Sequence, residues 1–321
     1  MLADFSVARG WFTAELCQNE DGFSRPDQVS TRSCTRLSVS NSIALSHLRV
    51  LTFSGPDRTT FLQGQLTQDV TLACADSALL SGWSDARGRL LYIGYLFHLG
   101  TDTDAPLALL VPDALAESLL KRMQMYVLRA KVQIAMSGWQ VRGLHADSGD
   151  IGTSTGQVLN CLHDKTRRLL IIPDGGSAAA DDSQQALNDW LLADIRAGIP
   201  DIHPATSGEF IPQMVNLDLL NAISFSKGCY TGQEIIARTK YLGRVKRRML
   251  HFSAGCAAPL PGTRIHAARG VVGQVVSAAS TPEGSELLAV IQIDDLPGPF
   301  FPGDGKTQAL RHLDLPYEVP V

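Results

Sequence analysis

Short apolar runs separated by polar turns recur along this 321-residue chain. Residues 47–53 alternate apolar and polar positions as a half-buried strand does, and residues 54–57 form a turn that begins a helix. Residues 90–97 are a second predicted strand, which follows the Gly- and Arg-rich turn at 85–89. Strand-like and helix-like segments therefore alternate along the chain, which is typical of an α+β protein.

Two segments share one pattern, an apolar run that ends in Pro-Asp and leads into a helix. The first is residues 107–113, followed by a helix to about residue 126. The second is residues 168–174, followed by a low-complexity connection at 175–185 and a helix that ends near Ile195. Two related α+β modules that pack together would explain the repeat. Chance is the alternative, because Pro is common at the start of helices.

From about residue 249 the chain changes character. Short β-type runs at 249–252, 263–266, 271–276 and 287–293 alternate with Gly and Pro turns, which predicts a small antiparallel β-barrel. We therefore predict three regions, and these are an irregular N-terminal arm at 1–40, an α+β region of two modules at 41–245, and the barrel at 246–321.

Composition restricts the class of protein. The net charge of −4 and the pI near 6.1 argue against a dedicated nucleic-acid or membrane-surface binder. Six widely spaced cysteines with no C-x-x-C pair argue against a disulfide framework or a closed zinc site. No apolar run approaches the length of a membrane span. We therefore expect a cytoplasmic protein with no metal centre and no membrane partner.

Chemical functions concentrate at residues 227–234, Lys-Gly-Cys-Tyr-Thr-Gly-Gln-Glu. The apolar segment 219–225 before it and Ile235 after it predict a strand, a tight turn and a helix. Thr231 and Glu234 have the spacing of a capping box, which predicts Thr231 as the N-cap. Cys229 would then lie beside a helix N-terminus and near Lys227, two features that favour a thiolate. The alternative is that Cys229 is a small buried hydrophobic residue.

This segment resembles the K-G-C-Y-x-G-Q-E hallmark of the YgfZ-type folate-binding family, and all seven fixed positions are present. The resemblance runs from about Ser42 to the C-terminus. It includes Phe210-Ile211-Pro212-Gln213, Asn216-Leu217, Ile223-Ser224-Phe225, Trp190, Arg196-Ala197-Gly198-Ile199-Pro200, Gln63-Gly64-Gln65 and Asp69.

The resemblance implies an aminomethyltransferase-like folate-binding fold, related to the T-protein of the glycine cleavage system. It also implies tetrahydrofolate or a derivative as cofactor, and a role in tRNA modification and iron–sulfur enzyme upkeep. Cys229 would be the functional thiol, with Lys227 beside it. The folate-binding side chains would be Trp190, Arg196, Gln213, Tyr230, Gln233, Glu234, Arg238, Gln63 and Gln65.

Each of these assignments has a structural alternative. A tryptophan on an apolar helix is more often part of the core, and the glutamines are more often structural. We expect one central cleft lined by Trp190, Arg196, Gln213 and residues 227–238. Leu48 occupies a position where folate-binding members can have Trp, so one platform for the pterin ring would be lost or altered.

Segment 238–248 is locally basic. It contains Arg238, Lys240, Arg244, Lys246, Arg247 and Arg248. These side chains suit the glutamate tail of a folate or an RNA phosphate backbone. A solvated helix end followed by a charged edge strand is the alternative.

Three functions remain open at this point. The first is a non-catalytic folate-binding accessory factor whose clients are iron–sulfur or tRNA-modifying enzymes. The second is a tetrahydrofolate-dependent one-carbon (aminomethyl) transferase. The third is a direct tRNA-binding module that uses residues 238–248. Transfer chemistry needs a carboxylate near the folate nitrogen, and neither Asp69 nor Asp85 clearly fills that role, so the sequence favours the first.

Overall fold

The computed structural model describes residues 42–147, 156–174, 181–241, 243–303 and 308–320. The predicted arm at 1–40 and most of the connection at 175–185 lie outside these residues. None of the described helices is both long enough and apolar enough to cross a membrane.

The first nine strands form one sheet. They are β1 (Ser42–Ala44), β2 (Leu48–Ser54), β3 (Ser77–Ser84), β4 (Leu90–His98), β5 (Leu107–Pro112), β6 (Gln133–Met136), β7 (Gln140–His145), β8 (Gln157–Cys161) and β9 (Arg167–Ile172). Their spatial order is β1-β7-β9-β8-β3-β4-β5-β2-β6. Every named ladder is antiparallel except β3 with β8, where Ser77 lies opposite Asn160 and Ala78 opposite Cys161. This parallel pairing joins the strand group β1-β7-β9-β8 to the strand group β3-β4-β5-β2-β6 in one continuous sheet.

Each strand group includes one of the predicted strand–helix units. Strand β5 is buried at all six positions, because it lies between β4 and β2, and α2 (Asp113–Val127) begins directly after it. In the other group, α3 (Gln184–Arg196) begins only after its N-cap Ser183, whose side chain accepts a hydrogen bond from Ala186 N (3.2 Å). The remaining helices are α1 (Arg58–Gln63) and α4 (Gln233–Tyr241).

The C-terminal part is a second, fully antiparallel sheet. Its strands are β10 (Arg247–Ala254), β11 (Arg264–Ala267), β12 (Gly270–Thr281), β13 (Gly284–Gln292), β14 (Phe301–Pro302) and β15 (Arg311–Leu313), in the order β14-β11-β12-β13-β10-β15. Its own apolar core includes Phe252, Ile265 and Phe300. The strands predicted from the change in sequence pattern are therefore present.

The strand predicted at 219–225 is wrong. Asn216 and Asn221 adopt left-handed φ values of 61° and 51°, which an extended strand does not allow. Turn hydrogen bonds take the place of a strand ladder. In one of them Ala222 N donates to Leu217 O at 2.8 Å. The predicted cap is also wrong, because α4 begins at Gln233 and follows Gly232, whose φ is 81°. A residue with a side chain rarely adopts that φ.

Candidate functional site

Cys229 lies on the surface. It is an exposed free thiol, and Gly228 beside it is also exposed. A Cβ added at Gly228 would meet no atom within 4 Å. The buried, purely structural alternative for Cys229 is therefore excluded, and the thiol is accessible to a partner.

Lys227 is directed into the protein. Its side chain is buried, and its ammonium donates hydrogen bonds to Leu66 O and Gln68 O, both at 2.8 Å. The nitrogen lies 5.0 Å from the centroid of the Tyr230 ring. Burial lowers the pKa of Lys227 to about 8, while the Asp69 carboxylate opposes that shift. The ammonium predicted to activate Cys229 thus has two backbone carbonyls as partners, and it attaches the motif to residues 66–68.

The Gln-Gly-Gln segment lies against the motif. Thr231 N donates to Gly64 O (3.1 Å), and Gln65 Oε1 accepts from Trp83 Nε1 at 3.2 Å. Both amide atoms of Gln63 are already engaged, with Nε2 donating to Asp69 and Oε1 accepting from Val70 N. Gln63 therefore holds residues 69 and 70 in place, and its role in reading a pterin edge stays a prediction.

Gln213 and Tyr230 are both buried near the start of α4. Gln213 Nε2 donates to Ile236 O at 2.7 Å, which fixes the side chain to this helix. Gln213 Oε1 and the Tyr230 hydroxyl have no hydrogen-bond partner among the described residues. Along α4 itself, Gln233 is half-buried, whereas Glu234 and Arg238 are exposed.

The basic segment divides into two parts. Arg248 is buried and forms a two-pronged pair with Asp218 at 2.7 and 2.9 Å, and it also donates to Gln213 O at 2.7 Å. It therefore belongs to the core and not to the predicted patch. The other five side chains are exposed, and these are Arg238, Lys240, Arg244, Lys246 and Arg247.

A separate cavity of about 300 Å³ lies between the nine-stranded sheet, α3 and the C-terminal sheet. Trp190 and Tyr95 supply aromatic surface, and Leu48 lies on the wall. The polar lining residues are His47, Arg167, Asp194, Asp201, His203 and Ser277.

Two carboxyl groups make the cavity chemically distinctive. Arg167 Nη2 lies 2.7 Å from Asp194 Oδ1, and Asp201 Oδ2 lies 3.6 Å from His203 Nε2. Burial raises the pKa of Asp194 to about 6, although Arg167 lowers it. Burial also raises the pKa of Asp201, and it lowers the pKa of His47 to about 4, so that His47 is neutral at pH 7.

The cavity wall also contains unused hydrogen-bonding capacity. His47 Nδ1 and Ser277 Oγ are buried atoms without a hydrogen-bond partner among the described residues. Native proteins pair nearly all such atoms, with protein, water or ligand. A ligand with hydrogen-bonding groups could pair with these two atoms.

The structure does not unite the predicted folate-binding residues in one cleft. Of the predicted folate-binding side chains, only Trp190 lines the cavity. Arg196 is six positions further along α3, on another face of the helix, and it pairs with Glu286 of β13 at 2.6 Å. Gln213 and residues 227–238 lie outside the cavity lining. The roles of these residues in binding folate stay predictions.

Asp194 and Asp201 were missed by reasoning from the sequence. Asp194 is four residues after Trp190, so the two share one face of α3. Asp201 directly follows the Arg196–Pro200 run that carries part of the family resemblance. The spacing could have identified the first. Among the described residues, no group of three or more His, Cys, Asp and Glu side chains is placed to hold a metal ion.

The fold has a solved counterpart. The crystal structure of glycine cleavage system aminomethyltransferase T from Bartonella henselae matches 85% of this chain and 84% of its own length, with a TM-score of 0.64. Sequence identity is 14%, so this likeness concerns the fold alone. The predicted α+β, aminomethyltransferase-like fold is confirmed.

No protein-family model matches the chain. Curated relatives do match, over most of their length. The tRNA-modifying protein YgfZ of Serratia proteamaculans is 33% identical over 92% of this chain and 96% of its own. The protein of the same name from Escherichia coli O7:K1 is 31% identical over 86% and 93%. The chain therefore belongs to the family of the tRNA-modifying protein YgfZ, as the segment at 227–234 predicts.

Proposed function

We propose that this protein is a folate-binding accessory factor for tRNA modification and for iron–sulfur enzyme upkeep. The cavity beside Trp190 would hold tetrahydrofolate or a derivative, and Cys229 would be the functional thiol. The two would lie in different regions of the molecule, because Cys229 is exposed and is not part of the cavity lining.

The cavity is the observation that carries this proposal. Its volume of about 300 Å³ is at the lower end of the range for ligand pockets. A pterin has a flat ring and a polar edge of donors and acceptors. Trp190 and Tyr95 offer aromatic surface, Asp194 and Asp201 offer acceptors, and His47 Nδ1 and Ser277 Oγ are unpartnered. A bound tetrahydrofolate derivative that carries a one-carbon substituent would supply that group.

The family resemblance implies that folate-binding members can have a tryptophan at the position of Leu48. Leu48 lines the cavity, so the departure falls on the wall that the ligand would contact. An aliphatic side chain there leaves the aromatic contact to Trp190 and Tyr95. We expect binding in the micromolar range, and we expect Leu48→Trp to change the affinity.

A one-carbon transferase is the second candidate, and a specific observation favours it. The sequence offered no clear carboxylate for such a reaction, whereas the cavity contains Asp194 and Asp201. A carboxyl group with a pKa near 6 is suited to proton transfer near neutral pH. Turnover of a methylene or aminomethyl donor would distinguish a transferase from an accessory factor.

Titration of tetrahydrofolate and 5-formyltetrahydrofolate into the pure protein, followed by tryptophan fluorescence and by calorimetry, tests the cavity. We expect micromolar binding that Asp201→Asn weakens at least tenfold. Arg49→Gln is the matched control, because Arg49 is exposed and adjacent to Leu48 but absent from the cavity lining. No binding to the wild type by either method would refute the folate proposal.

The thiol is tested separately. Cys229→Ala should fold normally and bind folate normally, because the side chain is exposed. The level of modified nucleosides in tRNA from cells that carry only this variant should fall. Cys256→Ala, a free cysteine of the C-terminal region, is the control and should leave the level unchanged. Equal behaviour of the two variants would remove Cys229 from the proposal.

A further inference from the structure

Charge is distributed very unevenly along this chain. Residues 235–282 contain eight Lys and Arg and not a single Asp or Glu. The rest of the chain has 20 basic and 32 acidic residues, a net charge of −12. A weakly acidic protein thus contains one strongly basic segment, which begins within α4 directly after the Cys229 motif.

Most of the cations at the start of this segment are available to a partner. Arg238, Arg244, Lys246 and Arg247 are exposed, and none of them forms an ion pair with a described residue. Arg248 differs, because Asp218 neutralises it in the interior. An exposed cation that has no partner within the protein breaks no ion pair, and needs little desolvation, when it binds an anion.

Aromatic rings lie among these cations. Tyr241, the last residue of α4, has 66% of its surface exposed. Its ring meets Phe225 edge to face, with 6.2 Å between the centroids, and Lys240 Nζ lies 3.6 Å from the centroid of the Phe225 ring. We call Phe225, Arg238, Lys240, Tyr241, Arg244, Lys246 and Arg247 the basic-aromatic surface.

This surface is close to the thiol. Phe225 precedes Cys229 by four residues, so their Cα atoms are at most roughly 15 Å apart. Phe225 also contacts Tyr241, which brings the end of α4 back alongside the chain that enters the motif. A polymer bound across the basic-aromatic surface therefore comes within reach of Cys229.

We propose that the basic-aromatic surface binds single-stranded RNA, with a base stacked on Tyr241 and phosphates on the surrounding cations. This deepens the proposed role in tRNA modification and rests on it, because it identifies the RNA itself as a direct partner. Interleaved cations and accessible aromatic rings are the features by which proteins hold unpaired nucleotides. The alternative partner is an acidic protein. Its carboxylates would pair with the cations but would not need the exposed tyrosine ring.

The test is fluorescence anisotropy of a labelled single-stranded RNA 12-mer and of an unmodified tRNA transcript with the full-length protein. The association constant should fall as the KCl concentration rises. In a plot of its logarithm against the logarithm of the KCl concentration, the slope should be up to about −3.5 if all five cations contact phosphates. Tyr241→Ala should weaken binding about 5- to 100-fold at constant slope. Tyr241→Phe keeps the ring and should bind like the wild type.

Arg244→Gln and Lys246→Gln should each reduce the slope by about 0.7. Lys121→Gln on α2 removes an exposed cation elsewhere and should change nothing.

Absence of RNA binding at low salt, or an unchanged affinity in Tyr241→Ala, overturns the proposal. Equally tight binding of a polyglutamate peptide would also overturn it and would assign the surface to polycarboxylates, such as an acidic protein or the glutamate tail of a folate. Folate titration of the same variants should match the wild type, so a failure here is separable from a failure of the folate proposal.

Discussion

The guanidinium carbon of Arg167 lies 4.4 Å from the centroid of the Trp190 ring, and Arg167 Nη1 donates to Trp190 O at 3.0 Å. Asp164 and Asp194 form ion pairs with the same guanidinium, at 2.6 and 2.7 Å. A Cβ at Gly143 would collide with the six-membered ring of the indole. Trp190 is thus a fixed wall of the cavity and not a freely exposed platform. The charged groups of Asp164, Arg167 and Asp194 connect this wall to β9 and α3.

Gly143→Ala should destabilise the protein, because the new methyl group would displace the Trp190 ring. Overpacking of this kind typically costs about 1–3 kcal/mol. Gly228→Ala is the matched variant, since nothing lies within 4 Å of its Cβ and its backbone allows a side chain. We expect its free energy of unfolding to stay within about 0.5 kcal/mol of the wild type. Urea unfolding measures both, and equal changes would contradict the packing described here.

Asp194 should make ligand binding depend on pH. Its pKa of about 6 in the free protein means that it changes from mostly neutral to mostly charged between pH 5 and 7. A ligand whose N–H groups need the carboxylate should bind about tenfold more tightly at pH 7 than at pH 5. Asp194→Asn should abolish that rise in calorimetric titrations. Asp189→Asn, an exposed position on the same helix, should retain it.

Lys227→Met should lower stability and also alter its pH dependence. The substitution leaves Leu66 O and Gln68 O without donors, at about 1–3 kcal/mol for each buried group. In the wild type the folded-state pKa is about 8 and the unfolded value is near 10.4, so the unfolded chain binds more protons between these limits.

The contribution of Lys227 to the free energy of unfolding should therefore rise as the pH increases from about 8 towards 10. The difference in stability between wild type and Lys227→Met should widen over that interval in denaturant titrations. A constant difference would show that the ammonium titrates normally in the folded protein.

Neighbouring arginines should behave in opposite ways. Asp218→Ala leaves the buried Arg248 guanidinium without its counter-charge, which typically costs about 3–5 kcal/mol. Arg247→Ala removes an exposed side chain and should change stability by less than about 0.5 kcal/mol. Thermal unfolding of both variants checks this. A strong effect of Arg247→Ala would mean that this side chain packs against the rest of the protein.

Local patterns were sufficient for much of the architecture. The alternation at 47–53, the apolar run at 107–112 and the β-type runs after residue 249 correspond to β2, β5 and the C-terminal strands. They failed at 219–225, where Asn221 is left-handed and follows the left-handed Asn216 just before the run, so that the apolar run forms consecutive turns. Apolar residues can be buried by turns as well as by a strand, so hydrophobicity alone did not separate the two.

By itself the sequence determined the family, through seven fixed positions of one eight-residue segment, and the α+β class, through strand-like and helix-like segments that alternate along the chain. Only the tertiary structure decided which side chains share a site. It separated Trp190 from Arg196 by helix geometry, directed Lys227 inward, placed Arg248 in the core, and brought Asp194 and Asp201 into one cavity. Most of those outcomes depend on contacts between residues far apart in the chain, such as Lys227 with Leu66 and Arg248 with Asp218, which the local pattern of apolar and polar residues does not specify.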